Sequence, residues 1–158
     1  MRDFILRPVE TRDADNVAAL IRTAFAAQSV VTDPPPSALD VTERDVLVQL
    51  RTGSGAVAEV AGHLAGSALW AEQDGGLYLG RLAVAIGFRG RGIAKALLAA
   101  AEDAARTMQL PRIHLSTRLA LLDNRRLFAS CGFVETTLGT HPGYTKPTFV
   151  NMEKRLAG

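Results

Sequence analysis

The sequence has little of what disulfide-linked, metal-binding or membrane-spanning proteins need. Its 158 residues include one cysteine, Cys131, so no internal disulfide can form. The three histidines are scattered without metal-ligand spacing, and we expect no metal site. No stretch approaches the roughly 18 uninterrupted apolar residues that a membrane span needs. The start also lacks the apolar run of a secretory signal. We therefore expect a cytoplasmic protein without a membrane partner.

The composition is that of a chain with a hydrophobic core. Apolar residues make up 47% of the sequence and charged residues 22%, which excludes a disordered chain. The length suits about one domain. No internal repeat is visible, and the only proline cluster, Pro34 to Pro36, is too short to separate domains. We expect a single domain over residues 1–158.

The net charge of +2 is unevenly distributed. Residues 1–80 hold 6 basic and 11 acidic side chains, whereas residues 81–126 hold 9 basic and 3 acidic ones. A block rich in arginine suits an anionic ligand that guanidinium groups can grip. A solvated helix face would have the same composition. Long nucleic acid needs a broader basic stripe, so we expect no nucleic-acid partner and keep a nucleic-acid-binding module as a less favoured alternative.

Apolar periodicity predicts the element order βααβββαβαββ. Strand-like alternation and helical spacing follow one another with turn residues between them. Thr11 and Thr42 are the predicted N-caps of the first two helices. The fold class is therefore α/β (α+β), with a mixed, mostly antiparallel central sheet flanked by helices. The predicted strands cover residues 4–9, 56–59, 63–70, 77–84, 113–117, 134–138 and 148–155, and the later helices cover 93–108 and 123–130.

The most informative segment is the turn Arg89-Gly90-Arg91-Gly92-Ile93-Ala94, which leads from a strand into the long helix. Its two glycines permit positive φ angles and a close approach of the backbone to a ligand. The first N–H groups of a helix are unpaired and lie at the positive end of its dipole. Such a turn can hold a pyrophosphate, with Arg89 and Arg91 available to pair its charge. It lacks the lysine and hydroxyl of a P-loop and the βαβ setting of a dinucleotide fingerprint.

At this turn the sequence resembles the GCN5-related N-acetyltransferases, or GNAT family. Arg89, Gly92 and Ala94 match their acyl-coenzyme A signature, Arg/Gln-x-x-Gly-x-Gly/Ala. The resemblance covers nearly the whole chain, including the strand that ends at Val84 and the Cys131-Gly132-Phe133 segment. It implies a GNAT-like acyltransferase that transfers an acetyl group from acetyl-CoA to an amine on a small molecule, protein or peptide. It leaves a homodimer open, because no residue pattern demonstrates one.

The resemblance also implies roles for individual residues. Backbone N–H groups from Gly90 to Ala94 would receive the pyrophosphate of coenzyme A. The backbone of Leu82, Ala83 and Val84 would pair with the pantetheine arm and the thioester, where the central strand splays from its neighbour at a bulge. Asn124 would contact the coenzyme, and the alternative is that it bonds its own helix backbone.

The catalytic acid of the family does not carry over. Its usual place, four residues before the Gly-Phe pair, is occupied by Phe128, which has no proton to give. Tyr144, in the loop between the last two strands, is the predicted replacement. Ser130 and Cys131 are alternatives, and His141 is a candidate for a base or an acceptor contact. Because the acid is missing, a catalytically silent acyl-CoA sensor is the main alternative function.

Acidic residues crowd the segment that is expected to form a wall of the acceptor cleft. Asp33, Asp40, Glu43 and Asp45 all fall within it. A wall of carboxylates favours a cationic amine as acceptor, although surface acidic residues also serve solubility.

Overall fold

The computed structural model describes residues 3–156 and arranges them as a seven-stranded sheet with four α-helices. The predicted element order is confirmed, as is the mixed, mostly antiparallel sheet. The strands run in the order β1-β2-β3-β4-β5-β7-β6, and every neighbouring pair is antiparallel except β4 and β5. The elements are β1 (Ile5–Pro8), α1 (Ala14–Ala26), α2 (Glu43–Thr52), β2 (Gly53–Val60), β3 (His63–Gln73), β4 (Gly76–Val84), α3 (Ile93–Thr107), β5 (Arg112–Arg118), α4 (Leu122–Ser130), β6 (Val134–Gly139) and β7 (Phe149–Arg155).

Two hydrophobic layers lie on opposite faces of the sheet because successive strand side chains alternate between faces. Ala56 and Ala58 of β2 belong to the layer that contains α3, whereas Val57 between them belongs to the layer that contains α1 and α2. Leu97 of α3 and Ile21 of α1 are fully buried in their respective layers. Burial of a side chain of this size contributes about 1.5–3 kcal/mol.

The two predicted helix caps have different outcomes. Thr42 is confirmed, because its hydroxyl accepts the N–H of Asp45 at 3.2 Å while the Asp45 carboxylate accepts the N–H of Thr42 at 2.9 Å. Thr11 is wrong as the cap of α1, since it begins a short 3-10 turn and α1 starts at Ala14. The turn is held by Asp13, whose carboxylate accepts the N–H of Glu10 at 2.8 Å.

Asp13 also ties α1 to β1. Its carboxylate accepts two hydrogen bonds from the Arg7 guanidinium, each of 2.8 Å, and the residue is only 5% exposed. These hydrogen bonds lower the pKa of Asp13 below its ordinary value. A carboxylate stabilised in this way contributes to folding above its unfolded pKa of about 3.9, and the contribution is lost as the pH falls through the lower folded value.

We therefore expect the free energy of unfolding to fall as the pH is lowered below about 4, and Asp13→Asn to remove part of that fall. Denaturant unfolding between pH 2 and 7, roughly the range over which a carboxylate titrates, measures it. Asp15→Asn, at an exposed position two residues away, is the control. An unchanged pH dependence in Asp13→Asn would contradict the role given to this pair.

Candidate active site

Strand β4 leaves its neighbour β5 after a short parallel contact. Only two register pairs join them, Leu77 with Ile113 and Tyr78 with His114. From Leu79 onward β4 has no strand partner on that side among residues 3–156. Backbone N–H and C=O groups at the end of β4 are therefore open toward a gap in the sheet.

A bulge in β4 marks the same position. The register with β3 shifts so that Arg81 and Leu82 together lie opposite Ala68. Arg81 has a φ of 54°, a left-handed conformation that is uncommon for residues other than glycine. Bulges of this kind bend a strand and change the direction of its side chains. The bulge and the splay, which the family resemblance implied, are both present.

The N-terminus of α3 is open to an anion. Its N-cap is Gly92, with a φ of 84°, and Gly90 has a φ of 80°. No side chain caps the helix, and its first turn contains no acidic residue. The first intrahelical bond runs from the N–H of Ala96 to the carbonyl of Gly92 at 3.0 Å. The preceding helical N–H groups have no partner within the helix, and the dipole makes this end positive.

A groove of about 790 Å³ joins this helix terminus to the end of β4. Arg91 does not line this groove. The Arg91 guanidinium instead pairs with Asp3 at 2.7 Å and lies 5.1 Å from the ring centre of Phe88. The structure brings the other nine residues predicted to bind the coenzyme together around the groove: Leu82, Ala83, Val84, Arg89, Gly90, Gly92, Ile93, Ala94 and Asn124.

Asn124 lines this groove from the first turn of α4. Within residues 3–156 its side chain makes no hydrogen bond, so the alternative in which it bonds its own helix backbone is not what the structure shows. Its amide is free to bond a ligand.

A second cavity, of about 590 Å³, lies on the other side of the β4 end, and we call it the cleft. Trp70 and Tyr78 of the sheet and Thr117 of β5 contribute to its walls. Residues shared by the two cavities place their junction at the splay of β4 from β5, so a group held in the groove has access to the cleft. The shared residues are Phe25, Gln28, Leu82, Leu121, Asn124 and Phe128.

Phe128, at the family's usual acid position, lies at that junction. Phe128 is only 6% exposed. The centre of its ring lies 6.0 Å from the centre of the Phe133 ring, in an edge-to-face contact. Ser130 donates its hydroxyl to the carbonyl of Leu127 at 2.6 Å. Neither Ser130 nor Cys131 lines the groove or the cleft.

His141 is the titratable residue of the β6–β7 loop that lines the cleft. Its Nδ1 is hydrogen-bonded to the Thr148 hydroxyl, which also accepts the His141 backbone N–H at 3.0 Å. Burial, assisted by the positive charge of Arg118, lowers the pKa of His141 below its ordinary value. The imidazole is therefore neutral near pH 7, with its ring orientation set by Thr148.

Tyr144, from the same loop, is held outside the cleft lining. Its hydroxyl donates to the Asp33 carboxylate at 2.5 Å, and this hydrogen bond raises the pKa of Tyr144. Arg118 donates to the carbonyls of Pro34 and Pro35, beside the same aspartate. Tyr144 and Arg118 thus hold one segment of the cleft wall from two sides.

The expected acidic wall is corrected by the structure. None of Asp33, Asp40, Glu43 and Asp45 lines the cleft, and all four are exposed. Asp45 is held in the capping box at the start of α2, and Asp33 is held by Tyr144. The charged side chains of the cleft lining are arginines, Arg81 and Arg118. Sequence reasoning missed Arg118, although it lies in the basic block and at the end of a predicted strand.

A sheet that splays beside an open helix N-terminus, with a groove and a cleft that meet at the splay, is the arrangement that the family resemblance implies for an acyltransferase. The chain belongs to the acetyltransferase (GNAT) family, whose model matches residues 20–133. A comparison with curated proteins finds no match.

Solved structures share the fold at low sequence identity. A GCN5-related N-acetyltransferase from Rhodopseudomonas palustris has a TM-score of 0.80 and 18% identity, covering 99% of this chain and 98% of its own. The ribosomal-protein-S18-alanine N-acetyltransferase from Escherichia coli has a TM-score of 0.78 and 19% identity, covering 98% and 96%. The PaiA N-acetyltransferase from Thermoplasma acidophilum, solved in complex with coenzyme A, has a TM-score of 0.77 and 15% identity, covering 97% and 99%.

Two further findings concern residues 3–156. No helix among them is long and apolar enough to cross a membrane. No group of three or more His, Cys, Asp or Glu residues among them is arranged to hold a metal ion.

Proposed function

We propose that this protein is a single-domain enzyme that transfers the acetyl group of acetyl-CoA to an amine by direct attack. The observation that carries the proposal is the junction of the groove and the cleft at the free edge of β4. A thioester laid along that edge would present its carbonyl to an amine in the cleft. The homodimer that the family resemblance leaves open stays a prediction.

The groove residues fit the phosphate end of coenzyme A. The N–H groups at the start of α3 have no competing cap, and its first turn has no acidic residue to repel an anion. Arg89 donates to the carbonyl of Ala24 at 3.3 Å and, like Lys95, has no ion-pair partner within residues 3–156. Both side chains line the groove. A diphosphate there would meet backbone donors and two uncompensated positive charges.

Acetyl-CoA supplies an activated acetyl thioester. The amine nitrogen forms a bond to the acetyl carbon, the carbon–sulfur bond breaks, and the thiolate leaves with the electron pair of that bond. Free N–H groups at the end of β4 would stabilise the charge that develops on the carbonyl oxygen, an effect of about 3 kcal/mol per donor. A thiolate with a pKa of about 8.5 leaves without an obligatory acid, which suits Phe128 at the junction.

His141 is the proposed general base. It is neutral near pH 7, it lines the cleft, and Thr148 fixes its ring. A base held by a third group in this way is the usual arrangement for removing a proton from an attacking nucleophile. The excess proton of the amine would pass to the imidazole as the carbon–nitrogen bond forms.

The first test is thermal unfolding with acetyl-CoA, followed by thiol release with a panel of amines. Ligand at about 100 times its dissociation constant should add about 2.7 kcal/mol of stability. Stabilisation together with thiol release supports the enzyme. Stabilisation without release from any amine between about pH 7 and 9, where amines become neutral, would favour the acyl-CoA sensor. Affinity for nucleic acid that coenzyme A does not compete for would favour the nucleic-acid module.

Tyr144→Phe tests the predicted catalytic role of Tyr144. As a general acid, Tyr144 would supply a proton to the leaving thiolate, and its removal should lower turnover about 10²-fold or more with little change in acetyl-CoA binding. If the hydroxyl only holds Asp33, the variant should instead raise the KM of the amine and leave kcat within about threefold, because exposed hydrogen bonds of this kind contribute little. Steady-state kinetics separate the two outcomes. Unchanged kcat would remove Tyr144 from catalysis.

A further inference from the structure

The basic block of residues 81–126 divides into two sets in the structure. Five of its nine basic side chains form ion pairs with carboxylates: Arg91, Arg106, Arg112, Arg125 and Arg126. The other four, Arg81, Arg89, Lys95 and Arg118, have no ion-pair partner within residues 3–156. All four line a cavity, Arg89 and Lys95 the groove and Arg81 and Arg118 the cleft, whereas of the five paired side chains only Arg126 lines one, the groove.

The cleft therefore has positive side chains in its lining and no carboxylate to balance them. Arg118 donates to the carbonyl oxygens of Pro34, at 2.5 Å, and Pro35, at 3.3 Å, which carry no formal charge. Burial lowers the pKa of Arg118, so its charged form is disfavoured where it lies. The charge of Asp33 offsets this only in part, and no carboxylate among residues 3–156 lies within ion-pair distance of Arg118. An anion placed beside a partly buried charge recovers part of the cost of its burial.

Two further groups in the cleft can receive an anion. Thr32 lines the cleft and is 8% exposed. Its hydroxyl oxygen has no hydrogen-bond partner within residues 3–156. Arg81, on the bulge of β4, donates to the Ser37 hydroxyl at 3.2 Å and leaves its other guanidinium donors for a ligand. A buried hydroxyl without a protein partner is rare and has a hydrogen bond to give to a ligand oxygen.

Resting on the function proposed above, we propose that the acceptor is an amine that also carries a carboxylate, which Arg118 and Arg81 bind in the cleft. The carboxylate compensates one of the two positive charges and accepts a hydrogen bond from the Thr32 hydroxyl. The same positive charges disfavour an ammonium group nearby, so the amine is held in the neutral form that attacks. Free amino acids and peptides with an acidic residue after the N-terminus share this chemistry.

The experiment compares matched acceptor pairs that differ only in one carboxylate. One arm uses amino acids and their carboxamides, and the other uses tripeptides with Asp or Asn at the second position. Acetylation with acetyl-CoA and equilibrium binding in the presence of coenzyme A are both measured. We expect the carboxylate member to be preferred about 10- to 100-fold in kcat/KM or in affinity, as for a charge-assisted pair. The arm that shows the preference identifies whether the acceptor is a free amino acid or a peptide with an acidic residue after its N-terminus.

Arg118→Gln and Arg81→Gln should each reduce that preference about tenfold or more, and Arg118→Lys should restore part of it. Arg44→Gln removes one exposed positive charge on α2, outside the cleft lining, and is the matched control. A variant that only loosened the cleft wall would weaken both members of a pair equally and leave the ratio unchanged.

The outcomes separate this inference from the proposed function. If the two members of a pair have equal kcat/KM and equal affinity in both arms, or if neither binds, the carboxylate proposal is overturned. Binding of acetyl-CoA would not be affected by that result. A preference for the carboxylate member that is unchanged in both Arg118→Gln and Arg81→Gln also overturns it. Failure of acetyl-CoA to bind overturns the proposed function itself.

Discussion

Gly92→Val is expected to weaken acetyl-CoA binding about 100-fold while the chain still folds. Gly92 is the N-cap of α3 and has a φ of 84°, which a β-branched residue adopts only with strain. Relief of that strain would turn the first N–H groups of α3 away from the groove. Each hydrogen bond to a charged group is worth about 1.5–3 kcal/mol, so losing one or two of them accounts for the expected change. Isothermal titration with acetyl-CoA measures it.

Gly75→Val is the matched control for this substitution. Gly75, in the turn between β3 and β4, has a φ of 74°, and no heavy atom lies within 4 Å of an added Cβ at either glycine. Both substitutions therefore cost stability through backbone strain alone, about 1–2 kcal/mol. Only Gly92 lines the groove. Equal acetyl-CoA affinity in the two variants would show that the start of α3 does not bind the coenzyme.

His141→Gln is expected to lower turnover about 10²-fold, as for a lost general base, and to leave acetyl-CoA binding unchanged. The pH profile is the sharper measurement. Besides the rise between about pH 7 and 9 as the amine becomes neutral, wild-type activity should rise with pH across a range below 6.5, because burial and Arg118 lower the pKa of His141. This rise corresponds to deprotonation of the imidazole. It should be absent from the variant, whose amide does not titrate.

His63→Gln is the control for the histidine substitution. His63 begins β3, is exposed, and lines neither the groove nor the cleft. It should keep wild-type turnover and the same pH profile. If His141→Gln also retained the rise below pH 6.5, the titrating group would be another residue and His141 would not be the base.

The order of elements and the left-handed turn before α3 could be predicted because they depend on near neighbours in the chain. The apolar period distinguishes strand from helix within a few residues. The two glycines at positions 90 and 92 predict a left-handed turn before α3, and both have positive φ. The cap at Thr42 was predictable because Asp45, three residues later, completes it.

The misplaced start of α1 and the missed arginine have a common cause. Asp13 takes the place expected of Thr11 because Arg7, on the neighbouring strand, binds its carboxylate. Arg118 becomes important because the loop of Pro34 and the β6–β7 loop meet at the end of β5. Neither partner can be read from residues adjacent in the chain.

By itself the sequence determined which segments form strands and helices, where the glycine turn before α3 lies, and that positive charge is concentrated in residues 81–126. Only the tertiary structure decided which of those charges are neutralised. It gave Arg91 a partner in Asp3, some 90 residues away, whereas among the described residues Arg118 donates hydrogen bonds only to neutral carbonyls. The physical reason is range: backbone conformation follows from local sterics and periodicity, whereas a charge is compensated by whatever the fold brings within a few ångströms of it.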